Sequence, residues 1–240
     1  MKKILLSSTI LIFVVLACQN NKKNNFSENQ ENEKKMNYEP LIIEKFDTIK
    51  LLVPEKEFGK TLIEAMWLRK STREYDETKM LSLKQISDLM WVTNGINRPG
   101  ETTRNRTVPS AMAKYPIQTY AVLANGIYYY CPILHALIPY LEGDFRKLTG
   151  GQDFVEKAPL NIVMFADYSV YNMPERTLTE ERKLWYAALD AAHSCQNIYL
   201  YCASEGLSTV ERAMAPENIC ETFKLNENHR FIVAQTVGFN

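Results

Sequence analysis

Hydrophobic positions divide the chain into a short apolar N-terminal run, a polar stretch and a patterned region that continues to the C-terminus. In the first part of the patterned region, the apolar residues are mainly spaced as in an α-helix. Apolar residues recur at helical spacing over Leu62–Leu68, and a second helix is expected after Ser82, whose hydroxyl can cap it. Asn94-Gly95 is expected to end that helix. Two shorter apolar segments before the helices, Leu41–Ile43 and Ile49–Val53, predict extended structure.

Later segments predict strands that pair into a sheet. Ile117–Ala124 and Ile127–Tyr130 flank Asn125-Gly126, the dipeptide that is typical of a tight hairpin between antiparallel strands. Leu160–Ala166 is almost continuously apolar and predicts a strand in the middle of the sheet, whereas Phe231–Val237 predicts a last strand. This order of elements predicts an α+β domain whose mixed or antiparallel central sheet is flanked by helices.

The longest periodic segment, Thr179–Ser204, predicts a single long helix that closes at Gly206. Its expected apolar stripe consists of Leu184, Ala188, Ala191, Cys195, Ile198 and Cys202. Apolar and small residues also lie on other faces of this helix, so one buried face does not account for all of them. We therefore expect the long helix to lie at a homodimer interface.

The N-terminus has the layout of a secretory signal peptide. Lys2 and Lys3 precede an apolar run, Ile4–Leu16, that is too short for an ordinary membrane span. The run ends in Val15-Leu16-Ala17-Cys18, which resembles the lipobox of bacterial lipoproteins. That resemblance implies removal of residues 1–17 and acylation of Cys18, whereas the alternative is an ordinary signal peptide in which this cysteine occurs by chance.

The stretch after Cys18 is almost purely polar and cannot bury enough apolar surface to offset the entropy of ordering it. We therefore predict three parts: a signal peptide over 1–17, a lipidated cysteine with a disordered tether over 18–39, and one domain over 40–240. The residue after the cysteine is Gln19, whereas an aspartate at that position would retain a lipoprotein in the inner membrane. The expected location is the bacterial cell envelope, with the periplasmic side of the outer membrane favoured.

Charge and cysteine content narrow the possible partners. The 28 basic and 28 acidic residues balance, so no basic excess exists to bind a nucleic acid backbone. The later cysteines, Cys131, Cys195, Cys202 and Cys220, form no C-x-x-C pair and have no histidine at metal-ligand spacing. We predict no metal site, and we interpret these four cysteines as small hydrophobic residues.

Three clusters carry candidate chemistry. Arg69 and Arg73 are four apart, so on a helix or its last turn they would project to one side, with Ser71 between them. Guanidinium groups donate paired hydrogen bonds to phosphate oxygens, which makes this cluster a candidate phosphate site. The alternative is that basic residues complement the dipole at the end of a helix.

The second cluster, Pro109-Ser110-Ala111, could bring backbone close to a flat aromatic ring, although a plain loop that leads into a strand is the alternative. The third cluster follows the long helix and runs from Gly206 to Ala213. In it, Arg212 becomes a candidate binding residue only if it faces an anion. Each of these two clusters is common in unrelated proteins when it is taken alone.

In their order and spacing, the three clusters resemble the nitroreductase-like flavoproteins. The matching motifs are R-x-S-x-R-x-Y from Arg69, P-S-A from Pro109, D-A-x-H-x-x-Q-N-x-Y-L over Asp190–Leu200, G-L-x-T from Gly206, and V-G-F at the final strand. The resemblance extends over about Leu51–Phe239. The form of the second motif is similar to the branch that contains the azoline-oxidising dehydrogenases of thiazole/oxazole peptide maturation.

The resemblance implies a nitroreductase-like fold and FMN bound at a homodimer interface to which both subunits contribute. The implied cofactor-binding residues are Arg69, Ser71 and Arg73 at the phosphate and ribityl chain, Pro109, Ser110 and Ala111 at the ring, Arg212 at the polar edge of the cofactor, and Ala213, whose backbone amide approaches flavin N5. It also implies ping-pong hydride transfer through flavin N5. Ala113 replaces the asparagine of classical nitroreductases, and we assign no catalytic acid or base.

Three functions are compatible with these patterns. The first is a membrane-tethered FMN-dependent oxidoreductase that acts on a small conjugated substrate. The second is an accessory lipoprotein that binds flavin or another ligand without catalysis. The third is an azoline-type peptide dehydrogenase, and its expected peptide-maturation partners are cytoplasmic, in contrast to the exported location predicted for this chain.

Overall fold

The computed structural model describes residues 39–56, 59–100 and 105–240. The predicted signal peptide, the lipidated Cys18 and all of the predicted tether except its last residue lie outside these residues. Among the residues that are described, no helix combines the length and the hydropathy that a membrane-spanning helix requires.

The described residues form four α-helices: α1 (Leu62–Leu68), α2 (Leu83–Asn94), α3 (Glu180–Glu205) and α4 (Ile219–Thr222). The first two begin with capping boxes, in which the side chains of Thr61 and Ser82 accept hydrogen bonds from the third helical residue. The long helix α3 begins after Thr179 and ends at Gly206, whose φ of 69° gives the left-handed C-cap. The three longer helices lie where the spacing of apolar residues predicted them.

In the part of the chain that the structure describes, seven strands form one sheet: β1 (Ile49–Lys50), β2 (Ile117–Leu123), β3 (Gly126–Cys131), β4 (Ala136–Glu142), β5 (Leu160–Asp167), β6 (Ser208–Arg212) and β7 (His229–Gly238). Their order across the sheet is β1-β4-β3-β2-β5-β7-β6, and every pairing is antiparallel. The predicted α+β class is therefore confirmed as an open antiparallel sheet flanked by helices.

Several local predictions were wrong. Leu41–Ile43 forms no strand, and the expected extended segment Ile49–Val53 contributes only the two residues of β1. Strand β4 was not predicted because it contains Pro139, which cannot donate a hydrogen bond to a neighbouring strand. The sheet tolerates this proline at a register shift opposite Tyr128 of β3.

Each face of the sheet carries its own apolar cluster. On the face covered by α2 and α3, residues such as Leu89, Ile162 and Ala191 are buried together. On the other face, Tyr120, Phe165 and Phe223 pack as a group of aromatic rings. The sheet is therefore a rigid support on which α3 is fixed along one side.

The buried stripe of α3 differs at its beginning from the predicted one. Leu184 and Ala188 are exposed, whereas Ala187 takes the buried position in that part of the helix. The rest of the stripe, from Ala191 to Cys202, is buried as predicted. The first turns of α3 therefore present apolar side chains to the surface.

Candidate functional site

The first cluster begins where α1 ends. The backbone of Arg69 leaves the helical region, with φ −56° and ψ 120°, so Arg69 and Arg73 do not share a helical turn. The prediction that they project from one side of a helix is wrong. The segment instead runs beside β6, where the Thr72 amide donates a hydrogen bond to the Thr209 carbonyl at 2.9 Å.

Tyr199 of α3 holds this segment in place. The Arg69 guanidinium carbon lies 5.3 Å from the centroid of the Tyr199 ring. The Ser71 hydroxyl lies 2.9 Å from the Tyr199 hydroxyl, which also accepts a hydrogen bond from the Glu211 amide at 3.0 Å. Tyr199 thus joins the first cluster to β6. The sequence motif contained this tyrosine, but the pattern alone gave no reason to place it in the site.

The polar groups of the first cluster face outward. Arg69, Ser71 and Arg73 are all exposed, and no described acidic side chain forms an ion pair with either arginine. Next to them a cleft of about 280 Å³ opens between α1, α3 and β6, with Tyr199 and Thr209 in its lining. Of this segment, Leu68 and Lys70 line the cleft, and the neighbouring guanidinium groups and hydroxyl are exposed at the surface, an arrangement that suits an anionic group.

The second cluster is tied to the middle of α3 by Asp190. The Ser110 hydroxyl donates to one Asp190 carboxylate oxygen at 2.5 Å, and the Ala111 amide donates to the other at 3.2 Å. The Ser110 hydroxyl also accepts a hydrogen bond from the Tyr115 amide at 2.8 Å. Burial raises the pKa of Asp190. The polar groups of Ser110 and Ala111 are thus engaged inside the chain, while Pro109 is exposed.

This anchoring holds an unusual turn. Met112, Ala113 and Tyr115 all have left-handed backbone conformations, with φ of 55°, 51° and 50°. Left-handed conformations are unfavourable for residues other than glycine and persist only where the surroundings enforce them. The segment between Ser110 and β2 is therefore a rigid, strained turn rather than the simple entry into a strand that the sequence suggested.

Arg212 is buried at the end of β6. Its guanidinium donates to the Thr236 hydroxyl at 2.9 Å, the Thr149 carbonyl at 2.7 Å and the Asn161 side-chain oxygen at 3.0 Å. All three acceptors are neutral, and burial lowers the pKa of Arg212 to about 10. The contact between Arg212 and a cofactor stays a prediction. The observed bonds give Arg212 a different role, which is to join β6 to its neighbours.

The remaining predicted residue, Ala213, directly follows Arg212 and is exposed. The first and second clusters contact different parts of α3. The first cluster contacts Tyr199 and the second contacts Asp190. These two positions are nine residues apart (199 − 190), which corresponds to about 13.5 Å along a helix that rises 1.5 Å per residue. Among the described residues, no group of acidic, histidine or cysteine side chains is placed to hold a metal ion.

The chain is similar to known proteins over the segment that contains the candidate site. The nitroreductase family matches residues 68–239, a range that includes all the predicted cofactor-binding residues. A protein from Methanocaldococcus jannaschii, provisionally named a nitroreductase, is 30% identical over 194 residues, which are 75% of this chain and 92% of that protein.

Solved structures with a similar fold point to the same family. A crystal structure of a protein from Ralstonia eutropha, also provisionally described as a nitroreductase, has a TM-score of 0.74 and 37% identity and covers 83% of this chain and 92% of that one. The Escherichia coli microcin synthetase complex is similar in fold alone, with a TM-score of 0.59 and 17% identity over 99% of this chain and 85% of that one. On its sequence match and its fold, the chain belongs to the nitroreductase family.

Proposed function

We propose that this member of a family of flavin-dependent oxidoreductases binds FMN and transfers electrons to or from a small conjugated substrate by a ping-pong mechanism. The observation that carries the proposal is the exposed cluster of Arg69, Ser71 and Arg73, whose neighbour Lys70 lines a cleft. These three residues would hold the phosphate and the adjoining ribityl chain. When bound, FMN supplies the redox chemistry, and the protein positions it.

The hydrogen bonds around Tyr199 suit this assignment. The Tyr199 hydroxyl accepts from the Glu211 amide and has one proton of its own to donate. If that proton goes to the Ser71 oxygen, the Ser71 proton is free to point outward to an anion. The two arginines have no acidic partner among the described residues, so an arriving phosphate would replace no internal ion pair.

We propose that the complete site is shared between two copies of the chain. In one chain the first and second clusters contact α3 about 13.5 Å apart along its axis. In the proposed dimer, the turn that begins at Pro109 in one protomer would line the ring of the flavin whose phosphate is held by Arg69 and Arg73 of its partner. Ala213, exposed at the end of β6, would lie near the ring.

An exposed apolar surface supports the proposed dimer. It consists of two separate groups: Leu62, Ile63, Met66, Trp67 and Leu68 on α1, which lies beside the C-terminal part of α3, and Leu184, Trp185 and Leu189 in the first turns of α3. Trp67 is the extreme case, with 86% of its surface exposed. Exposed groups of large apolar side chains are typical of surfaces that become buried by association.

Titration of the protein with FMN tests the phosphate assignment. We expect Arg73→Ala to weaken FMN binding by about 1.5–3 kcal/mol, or roughly 10- to 150-fold, because a charge-assisted hydrogen bond to the phosphate is lost. The exposed Arg98 serves as a control of equal charge, and Arg98→Ala should leave the affinity unchanged. Unaltered affinity in Arg73→Ala would contradict the assignment. A protein that rejects added FMN would favour the accessory, ligand-binding function.

We further propose that a lipid on Cys18 tethers the domain in the bacterial envelope. The proposal is supported by the resemblance of Val15-Leu16-Ala17-Cys18 to a lipobox and by the polar stretch that follows it. In the producing bacterium, the mature protein should partition into detergent and show the mass of an acylated N-terminal cysteine. Cys18→Ala should abolish both properties, and a Cys18→Ala protein that still partitions would contradict the tether.

A further inference from the structure

A second cavity lies where strands β2 and β3 separate. Their pairing stops at Tyr120 and Tyr129, although β2 begins three residues earlier and β3 continues to Cys131. A cavity of about 140 Å³ lies at this fork. Its lining includes Asn94, Arg106, Tyr115, Thr119, Tyr130 and Asp167.

Polar atoms without partners converge on this cavity. The Thr119 hydroxyl, the Asn94 side-chain oxygen and the Arg106 Nε are buried, and none has a hydrogen-bond partner among the described residues. Thr119 is only 2% exposed and Asn94 only 5%. Buried polar groups in folded proteins are nearly always satisfied by protein, water or ligand, and leaving them unpaired is costly. A polar occupant would satisfy all three.

The charge balance favours an anionic occupant. Arg106 donates to the Asn94 carbonyl at 3.1 Å, and its guanidinium carbon lies 5.5 Å from the centroid of the Tyr115 ring, but it forms no ion pair with a described residue. Burial lowers the pKa of Arg106. The acidic group in the lining, Asp167, is already engaged by the Ser169 amide at 2.9 Å and by the Gln118 side-chain amide at 3.5 Å.

We infer that this cavity binds a small carboxylate that also carries a hydroxyl or amino donor. The carboxylate would accept hydrogen bonds from Arg106 Nε and the Thr119 hydroxyl, which is the pairing that guanidinium groups make best. The donor of the ligand would serve the Asn94 oxygen. An apolar cavity of about 150 Å³ takes a benzene-sized molecule, so the space suits a ligand of up to about six heavy atoms.

This site is separate from the proposed phosphate site, although Tyr115 in its lining belongs to the turn that is proposed to line the flavin ring. Ile117, at the cavity end of β2, pairs with Ala166, whereas Leu160 at the other end of β5 pairs with Val237, which in turn pairs with Thr209 beside the first cluster. The cavity and the Tyr199 contacts therefore lie at opposite ends of the sheet in one chain. Binding of the carboxylate requires neither FMN nor a second subunit.

Isothermal titration of the full-length protein with glycolate tests the inference. We expect a Kd on the order of 1 mM, which is reasonable for a ligand of five heavy atoms. Glycolamide has nearly the same shape without the charge and should bind at least about tenfold more weakly, because the guanidinium then loses its ionic partner. Arg106→Gln should weaken glycolate binding by a similar factor, and Arg98→Gln, from the same loop region, should not.

Three results would overturn the inference. They are absence of glycolate binding up to about 50 mM, equal binding of glycolamide, and unchanged glycolate affinity in Arg106→Gln. If Arg106→Gln does not fold, as judged by circular dichroism, Thr119→Val decides the question, because it keeps the shape of the side chain and removes only the hydroxyl. It should weaken glycolate binding several-fold, and an unchanged affinity in Thr119→Val would also overturn the inference.

Discussion

Replacing Tyr199 by phenylalanine isolates the hydroxyl that joins the first cluster to β6. The ring under Arg69 is retained, whereas the bonds to the Ser71 hydroxyl and the Glu211 amide are lost. Each hydrogen bond contributes about 0.5–1.5 kcal/mol, so Tyr199→Phe should lower the free energy of unfolding by about 1–3 kcal/mol. For a domain of this size, that corresponds to a fall in Tm of roughly 2–12 °C.

The same change should weaken FMN binding, because Ser71 is no longer held in one position. We expect a loss of about three- to tenfold in affinity, less than for removal of an arginine, since the phosphate keeps both guanidinium groups. Urea unfolding and fluorescence titration with FMN measure the two effects. Tyr186, on the same helix, makes ring contacts but no hydrogen bond through its hydroxyl with described residues, so Tyr186→Phe is a matched control.

A double-mutant cycle gives the result that would refute this reasoning. If Tyr199 acts on the cofactor through Ser71, then Ser71→Ala and Tyr199→Phe should be non-additive in FMN affinity, with a coupling energy of at least about 0.5 kcal/mol. Strict additivity would mean that the tyrosine hydroxyl does not position Ser71. Equal stability of Tyr199→Phe and the wild type would mean that its hydrogen bonds contribute nothing to the fold.

Three further predictions address other parts of the structure. Gly150→Ala should destabilise the fold by about 1–3 kcal/mol in urea unfolding, because the added Cβ would lie 2.0 Å from a guanidinium nitrogen of the buried Arg212. Gly151→Ala is the control, because its Cβ would meet nothing within 4 Å and the stability should not change. Burial raises the pKa of Asp190 above its ordinary value of 3.8, so its contribution to stability is fully present below that pH and is lost as the pH rises through the raised pKa. Asp190→Asn should remove this part of the pH dependence of unfolding, and an unchanged profile would exclude Asp190 as its source. Trp67→Asp should convert the proposed dimer to a monomer in light scattering, whereas Val53→Asp, at a similarly exposed position (82%) outside α1 and α3, should leave the proposed dimer intact.

The sequence predicted best those elements whose signals are local. Ser82 and Gly206 mark helix ends through caps that depend on a few neighbouring residues, and Asn125-Gly126 marks the hairpin in the same way. Strand β6 was missed because its residues are few and mostly polar, and only pairing with β7 makes them a strand. Pairing over a long sequence distance leaves no local periodicity to detect.

Within the candidate site, sequence spacing identified segments better than it identified contacts. It selected Arg69, Ser71 and Arg73 but assumed a helix that ends before them, at Leu68. It could not show that Asp190 binds Ser110 across 80 positions of sequence, because that bond exists only after α3 packs beside the turn. Arg212 was selected as a possible anion contact, but its burial among neutral acceptors depends on the folded sheet.

The central claim is that Arg69, Ser71 and Arg73 hold the phosphate of FMN. Riboflavin lacks that phosphate and is otherwise the same molecule, so parallel fluorescence titrations with FMN and riboflavin measure the contribution of the phosphate directly. We predict that FMN binds at least about 100-fold more tightly than riboflavin and that the double variant Arg69→Ala, Arg73→Ala removes most of this difference. Equal affinities for the two flavins in the wild type, or an undiminished preference for FMN in the double variant, would contradict the account.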